Sequence, residues 1–401
     1  MIMDTSRLRS VLTGHVDAGA VPGLVALVAR GDEVRVEAIG VQHNGGDTPM
    51  RRDTIFRMAS ASKPVTATAV MVLVQECRLR LDDPVDEWLP ELADRRVLVG
   101  VDSPLDRTVP ANRPVTVRDL LTFTWGFGMV LAPPDTHPIQ RAMRELGIGS
   151  DGTSPYAVEP DEWLRRLGTL PLMCQPGERW LYNTGSDVLG ILVARVAGQS
   201  FERFLAERFL AERVLDPLGM RDTGFHVPAD KLHRLPTSYA HDPQTGALTV
   251  WDPAEGGKYS SPPPFAVGGD GLVSTVDDYL AFLRMLLDHG SHAGARILSR
   301  AAVELMTTDH LTAAQKSEKD QFDAYFGDHG GFGFGMGVRT RRRGFASAGQ
   351  FGWDGGLGTS VQADPARQFV GVLLTQAAQD TADTPRLIQD FWTCAYQAID
   401  D

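Results

Sequence analysis

The chain is 401 residues long, 43% hydrophobic and carries a formal net charge of −12. That length accommodates two or three domains, or one large core with insertions. An acidic chain without a long basic run argues against nucleic acid and anionic membrane surfaces as partners. The three cysteines, Cys77, Cys174 and Cys394, lie far apart and match no metal spacing, which points to a reducing compartment. The first residues lack a signal-peptide apolar region and no apolar run approaches transmembrane length, so a cytoplasmic location is expected.

In chain order, residues 5–18 read as a helix ending near Gly19. Leu24–Ala29 and Val34–Ile39 are β-branched-rich runs joined by Arg30-Gly31-Asp32-Glu33, a hairpin. A polar loop then leads to Ser60-Ala61-Ser62-Lys63 and an apolar stretch, Val65–Val74, that predicts a buried helix ending near Arg78. A serine and a lysine three residues apart share one helix face, where an amine can approach a hydroxyl and take its proton. Pro64 suits the first helical turn, and Ser60 then sits where free N–H groups and the helix dipole favour negative charge. Read alone, the pattern also fits an N-cap serine beside a snorkelling lysine. The composition weighs against that. Only five residues are lysine, among 39 Lys and Arg together, and a lysine amine can lose its proton when desolvated whereas an arginine cannot.

From Leu81 to about Cys174 prolines and short helices dominate, including Val85–Leu89 and Val115–Thr122, and the stretch predicts a helical, loop-rich insertion. Within it, Phe123-Thr124-Trp125-Gly126-Phe127-Gly128 is an aromatic, glycine-punctuated run suited to lining a pocket. Gln175–Tyr182 is a turn and a short extended piece, Asp187–Ala197 a helix stopped at Gly198, and Phe201–Leu215 a further helix with Phe-Leu-Ala-Glu-Arg twice in succession. Ser274-Thr275-Val276-Asp277-Asp278 is an N-cap signature before a helix over Tyr279–Leu287, and another helix spans Ser299–Met306. Strands are predicted over Gly333–Arg339, Phe345–Gly349, Thr359–Ala363 and Gln368–Leu374, with Arg341-Arg342-Arg343 at a hairpin tip, and the chain closes with a helix over Thr384–Ile399.

Strands at both ends with helices between give an α/β fold of the α+β type. An antiparallel sheet closes through both termini, terminal helices cover one face and the Ser60 helix the other. The expected division is a discontinuous unit, 1–83 with 175–401, and an all-helical insertion, 84–174, with a cleft between them.

This pattern resembles the serine β-lactamase and penicillin-binding-protein superfamily, on its class C side, and within it the family VIII carboxylesterases. Three motifs carry the resemblance: Ser60-Ala61-Ser62-Lys63, Tyr182-Asn183-Thr184, and Trp353-Asp354-Gly355-Gly356 on a late strand before Asp364-Pro365. Arg118–Thr122, Pro217–Met220 and Gly271–Thr275 match secondarily. The resemblance implies a β-lactamase/transpeptidase-like fold, Ser60 as the nucleophile of an acyl-enzyme, Lys63 and Tyr182 sharing the proton work, and an oxyanion hole from the backbone N–H groups of Ser60 and Gly356. With the ten histidines scattered along the chain, no cofactor and no metal are expected. The departures bear on substrate. Thr184 stands where class C enzymes have asparagine. Trp353 and Asp354 stand where β-lactamases and D,D-peptidases carry Lys-Thr or His-Thr before the glycine at Gly355, and Phe123 and Trp125 where many relatives have His and Ser. An indole attracts no carboxylate, and an aspartate facing the pocket repels one. Uncharged, moderately apolar esters are thus the expected small-molecule substrates. A β-lactamase or D-amino-acid peptidase, an acyltransferase and a non-catalytic binding protein on the same scaffold are the alternatives. No Gly-x-Ser-x-Gly elbow, Walker loop or dinucleotide fingerprint is present.

Overall fold

The computed structural model describes residues 3–130, 132–148, 157–199, 201, 215, 218–316, 326–379 and 384–399. The expected helix over Phe201–Leu215 falls almost wholly outside them. Helix α1 (Ser6–Asp17) leads into β1 (Gly23–Arg30) and β2 (Glu33–Gly40), whose antiparallel hairpin turns at Gly31, φ +55°. The late strands are β3 (Gly330–Phe332), β4 (Gly337–Arg339), β5 (Phe351–Gly355), β6 (Thr359–Asp364) and β7 (Phe369–Thr375). All seven form one antiparallel sheet in the order β3-β4-β5-β6-β7-β1-β2. The two ends of the chain meet where β1 pairs with β7, Leu24 opposite Thr375 and Arg30 opposite Phe369.

Strand β1 is an unbroken apolar run because it is buried on both faces. Leu24, Ala26 and Val28 face a layer holding Leu8 and Leu12 of α1 and Phe391 and Ala395 of the terminal helix. Val25, Leu27 and Ala29 face the larger core, which includes α2 (Lys63–Gln75). From Lys63 to Leu73 every residue of α2 is buried, as its uniformly apolar sequence requires. The helix lying directly against β6 and β7 is Val276–Leu287, and α2 packs behind it against Thr184–Ala197. Thr275 caps the former through Asp278 N, as its sequence predicts, and Gly198 ends the latter at φ +72°.

Two strand expectations change. Gly333–Arg339 is the turn and second strand of a hairpin, bent at Gly335 (φ +68°) with Gly333 N bonded to the Met336 carbonyl. Phe345–Gly349 is not a strand. Phe345 is 47% exposed and Gly349 at φ +86° turns the chain, so pairing resumes at Phe351. The stretch expected to be all-helical has short helices at Val117–Leu121, Pro138–Glu145 and Pro160–Gly168, and also a two-stranded ribbon, Arg96–Leu98 with Thr108–Pro110, too short for its alternation to register in sequence. Among the described residues no helix is long and apolar enough to cross a membrane.

Candidate active site

Ser60 lies in a tight 3₁₀ turn, Ala59–Ser62, that runs straight into α2 at Lys63. Pro64 occupies the first helical turn, where its missing N–H costs nothing. Ala59 sits at φ +46°, a region that side-chain-bearing residues seldom adopt, and so presents Ser60 from a strained corner. The end of β5 presses on this corner. A Cβ at Gly355 would collide with the Met58 carbonyl oxygen, which explains a glycine there. The neighbouring Gly356 has open space beside it, and its carbonyl accepts from Gln379 N at 2.8 Å.

The turn brings the expected pair together. Lys63 Nζ donates to Ser60 Oγ at 2.9 Å, to the Gly269 carbonyl at 2.9 Å and to Asp270 Oδ1 at 3.0 Å. Ser60 Oγ donates to Asp270 Oδ1 at 2.9 Å. Lys63 is fully buried, and its ammonium lies 4.8 Å from the centroid of the Tyr182 ring. Burial is the largest single influence on this amine and works against its charge. Asp270 leads the opposing influences, through its charge and its hydrogen bond, with Asp187 adding to it, and the pKa of Lys63 stands above its ordinary value. Tyr182 is moved up by burial. The Lys63 charge, and hydrogen bonds with Ser60 and Trp353, recover only part of that rise, so the resting side chain is a neutral phenol.

Trp353 Nε1 donates to the Tyr182 hydroxyl at 2.7 Å. The two rings lie 5.6 Å apart, and Phe123, Trp180 and Phe332 continue an aromatic wall around them. Phe123, held at φ +59°, approaches Tyr182 edge-on at 5.8 Å. Trp125 is placed elsewhere: it packs on Phe127 inside the main core. Asp354 also points away. Successive residues of a strand face opposite sides, and Asp354 Oδ1 accepts from Ser360 Oγ at 2.6 Å, which in turn accepts from Trp392 on the terminal helix. Burial raises the Asp354 pKa, against the pull of these hydrogen bonds. Thr184 is buried as the first residue of its helix, one position after Asn183, whose φ of +81° makes the bend that aims Tyr182.

The sequence reading missed the loop that completes this cluster. Gly268-Gly269-Asp270-Gly271 is stitched to the Ser60 turn and α2. Thr66 Oγ1 donates to Gly268 O at 2.6 Å, Leu272 N donates to Ser62 Oγ at 3.0 Å, and Met58 N donates to Leu272 O at 2.8 Å. Ser62, on the other side of the turn from Ser60, is therefore an anchor. Asp187, fully buried in the first turn of its helix, accepts from Gly269 N at 3.0 Å. The available signal was a single charged residue among glycines, just ahead of the N-cap signature at Ser274-Thr275. Among the described residues no group of acidic, histidine and cysteine side chains could hold a metal ion.

This arrangement puts a buried hydroxyl, an ammonium, a carboxylate and a phenol on one spot, at the mouth of an apolar helix. A family model described as Beta-lactamase matches residues 8–390. The chain belongs to the beta-lactamase family. It shares that family's serine-hydrolase fold, with the sheet of N- and C-terminal strands and the flanking helices. Protein Rv1367c of Mycobacterium tuberculosis is 41% identical over 371 residues, 91% of this chain and 88% of that protein. Esterase EstB of Burkholderia gladioli is 31% identical over 401 residues, 96% of this chain and 93% of EstB. Among solved structures, "EstCE1, a hydrolase with promiscuous acyltransferase activity" superposes with a TM-score of 0.79 at 27% identity, covering 98% of each chain.

Proposed function

We propose that this beta-lactamase-family protein is a serine esterase that cleaves small, uncharged carboxylic esters through an acyl-enzyme on Ser60. Ser60 Oγ is the nucleophile. Lys63 and Tyr182 flank it and manage its proton, and the backbone N–H groups of Ser60 and Gly356 receive the developing oxyanion. Trp353, from the sheet, lines the cleft where the acyl group binds, and the fully buried Phe123, from the 84–174 insertion, backs that wall through Tyr182. Thr184 and Gly355 shape its floor.

The observation that carries this reading is the Trp353 indole. At the position where a penicillin-binding site offers a cation or hydroxyl to a substrate carboxylate, the side chain spends its one N–H on Tyr182. A carboxylate-bearing substrate gains no partner there, whereas an apolar acyl chain gains an aromatic wall. The relatives support the same class: EstB is an esterase and EstCE1 a hydrolase with acyl-transfer activity. The test uses the purified full chain. It hydrolyses 4-nitrophenyl butyrate, leaves benzylpenicillin and nitrocefin intact, and loses ester turnover in Ser60→Ala. Unchanged turnover in Ser60→Ala, or turnover of nitrocefin exceeding that of the ester, refutes the reading.

A further inference from the structure

The two oxyanion donors sit on separate elements, and one buried hydroxyl joins those elements. The Ser60 N–H belongs to the 3₁₀ turn, and the Gly356 N–H to the hairpin between β5 and β6. Thr359, the first residue of β6, lies opposite Gly355 and is fully buried. Its Oγ1 donates to the Met58 carbonyl at 3.0 Å. The same carbonyl accepts from Ala61 N at 3.1 Å, across the turn that holds Ser60. A Cβ at Gly355 would strike both Thr359 Oγ1 and the Met58 oxygen, so strand end, hydroxyl and turn meet at one point. A hydroxyl buried this deeply is costly unless it is hydrogen-bonded, and valine would suit a strand equally well. The rest of the hairpin is held by backbone. Gly358 N donates to Gly355 O at 3.0 Å, Thr375 N to Gly358 O at 3.0 Å, and Gln379 N to Gly356 O at 2.8 Å. A trans peptide sets its C=O and N–H on opposite sides. The bond onto Gly355 O therefore turns the N–H of the exposed Gly356 outward from the hairpin turn.

We propose that Thr359 is a positioning residue that sets the spacing of the two oxyanion donors. This rests on the reading of Ser60 as nucleophile and of Gly356 as a donor. When Ser60 Oγ bonds to the acyl carbon, the carbonyl π pair moves onto oxygen. That oxygen gains the full stabilisation only where both N–H groups lie about 2.7–3.1 Å from it. A neutral carbonyl accepts more weakly than an oxyanion, so the spacing matters more in the transition state than in the bound ester. The Thr359 hydroxyl fixes the spacing by pinning the hairpin to Met58, two residues before Ser60. Thr359 takes no part in proton transfer, which stays with Lys63 and Tyr182.

Thr359→Val keeps the shape and removes the hydroxyl, whereas Thr359→Ser keeps the hydroxyl. Labelling of Ser60 with an aryl phosphonate, carried to completion, counts the active sites, so misfolded protein does not enter the rates. With 4-nitrophenyl butyrate, Thr359→Val lowers kcat per labelled site by about ten- to a hundredfold and leaves KM within about threefold. The inhibition constant of hexyl trifluoromethyl ketone, whose adduct with Ser60 carries an oxyanion, rises by the factor that kcat/KM loses. Thr359→Ser recovers turnover to within about threefold of wild type. Four results overturn the proposal: a fall in kcat smaller than about fivefold, a loss carried by KM instead, an unmoved inhibition constant, or a Thr359→Ser variant as impaired as Thr359→Val. Ser60→Ala is assayed alongside. If it is inactive while Thr359→Val is unimpaired, the Thr359 assignment alone fails; if it is active, the nucleophile reading fails. Where Thr359→Val does not accumulate as folded protein, Thr359→Cys takes its place, since a thiol is a weak donor of similar size. Its kcat falls at least about fivefold below that of Thr359→Ser, and equal rates in the two overturn the proposal.

Discussion

Replacing Trp353 with phenylalanine removes one hydrogen bond and leaves the ring wall standing. The indole N–H reaches the Tyr182 oxygen at 2.7 Å, and the two rings pack at 5.6 Å, tilted by 34°, a contact that a phenyl ring preserves. A hydrogen bond to a neutral hydroxyl contributes about 1 kcal/mol and one to a charged oxygen about twice that. If negative charge builds on Tyr182 during turnover, the difference of ~1 kcal/mol is lost from the transition state, which is a fall of about fivefold in kcat/KM. The indole also lowers the Tyr182 pKa, so its removal moves the titration of the phenol further upward. The assay is hydrolysis of 4-nitrophenyl butyrate across pH in wild type, Trp353→Phe, Tyr182→Phe and the double variant. Because the hydrogen bond exists only through the Tyr182 oxygen, Trp353→Phe has little effect in the Tyr182→Phe background. An undiminished fivefold loss there refutes the reasoning and assigns the effect to substrate contact.

Two further predictions concern stability. Arg57 and Asp252 form an ion pair with side chains 3% and 2% exposed, and Arg57 Nη1 also donates to the Pro236 carbonyl at 2.7 Å. Asp252→Ala strands the guanidinium and lowers unfolding free energy by about 3–5 kcal/mol, read by urea denaturation; a loss below about 1 kcal/mol would show that water replaces the carboxylate. Burial pushes the Asp278 carboxyl up to about 6, against hydrogen bonds from Asp222 N and Thr223. The unfolded chain gives up this proton near the ordinary aspartate value, about pH 4, and the native state holds it until about 6. The native state is thus at no disadvantage below pH 4, weakens as pH rises from 4 to 6, and stays weakened above. Asp278→Asn removes that decline, worth at most ~3 kcal/mol, and an equally steep decline in the variant excludes Asp278 as its source.

Which parts of the site were legible follows from how local their signals are. Ser60 and Lys63 sit three residues apart on one helix turn, so helical geometry alone pairs them. Tyr182 is far away in the chain and was reachable only through its motif. Trp353 and Asp354 form one motif, yet the period of a strand lets only one of them face the site; that rule was available in the sequence once the run was taken as a strand. Trp125 and Phe123 looked alike as aromatics of one glycine-punctuated run, and only packing separates the two: Trp125 sits on Phe127 in the main core and Phe123 against Tyr182. Asp270 left the weakest trace. Its loop reads as a glycine-rich connection, and the contacts that give it meaning come from residues about 210 positions away. The misplaced strand at Phe345–Gly349 has a similar origin: an apolar run suggested extension, while a glycine at positive φ and an exposed phenylalanine show a turn.

The pairing of β1 with β7 also has a consequence for biogenesis. The hairpin of β1 and β2 emerges from the ribosome early, with β1 apolar on both faces and its outer edge unpaired. Its partner, Phe369–Thr375, follows some 340 residues later, which at ordinary rates of synthesis is roughly half a minute. Until then the strand edge is open to other chains. The sheet behind the Ser60 turn is completed only when β7 appears, so a nascent chain stalled before residue 369 has the nucleophile, its lysine and the strand β5 that presses on them, but not the strand that joins β5 and β6 to the N-terminal hairpin.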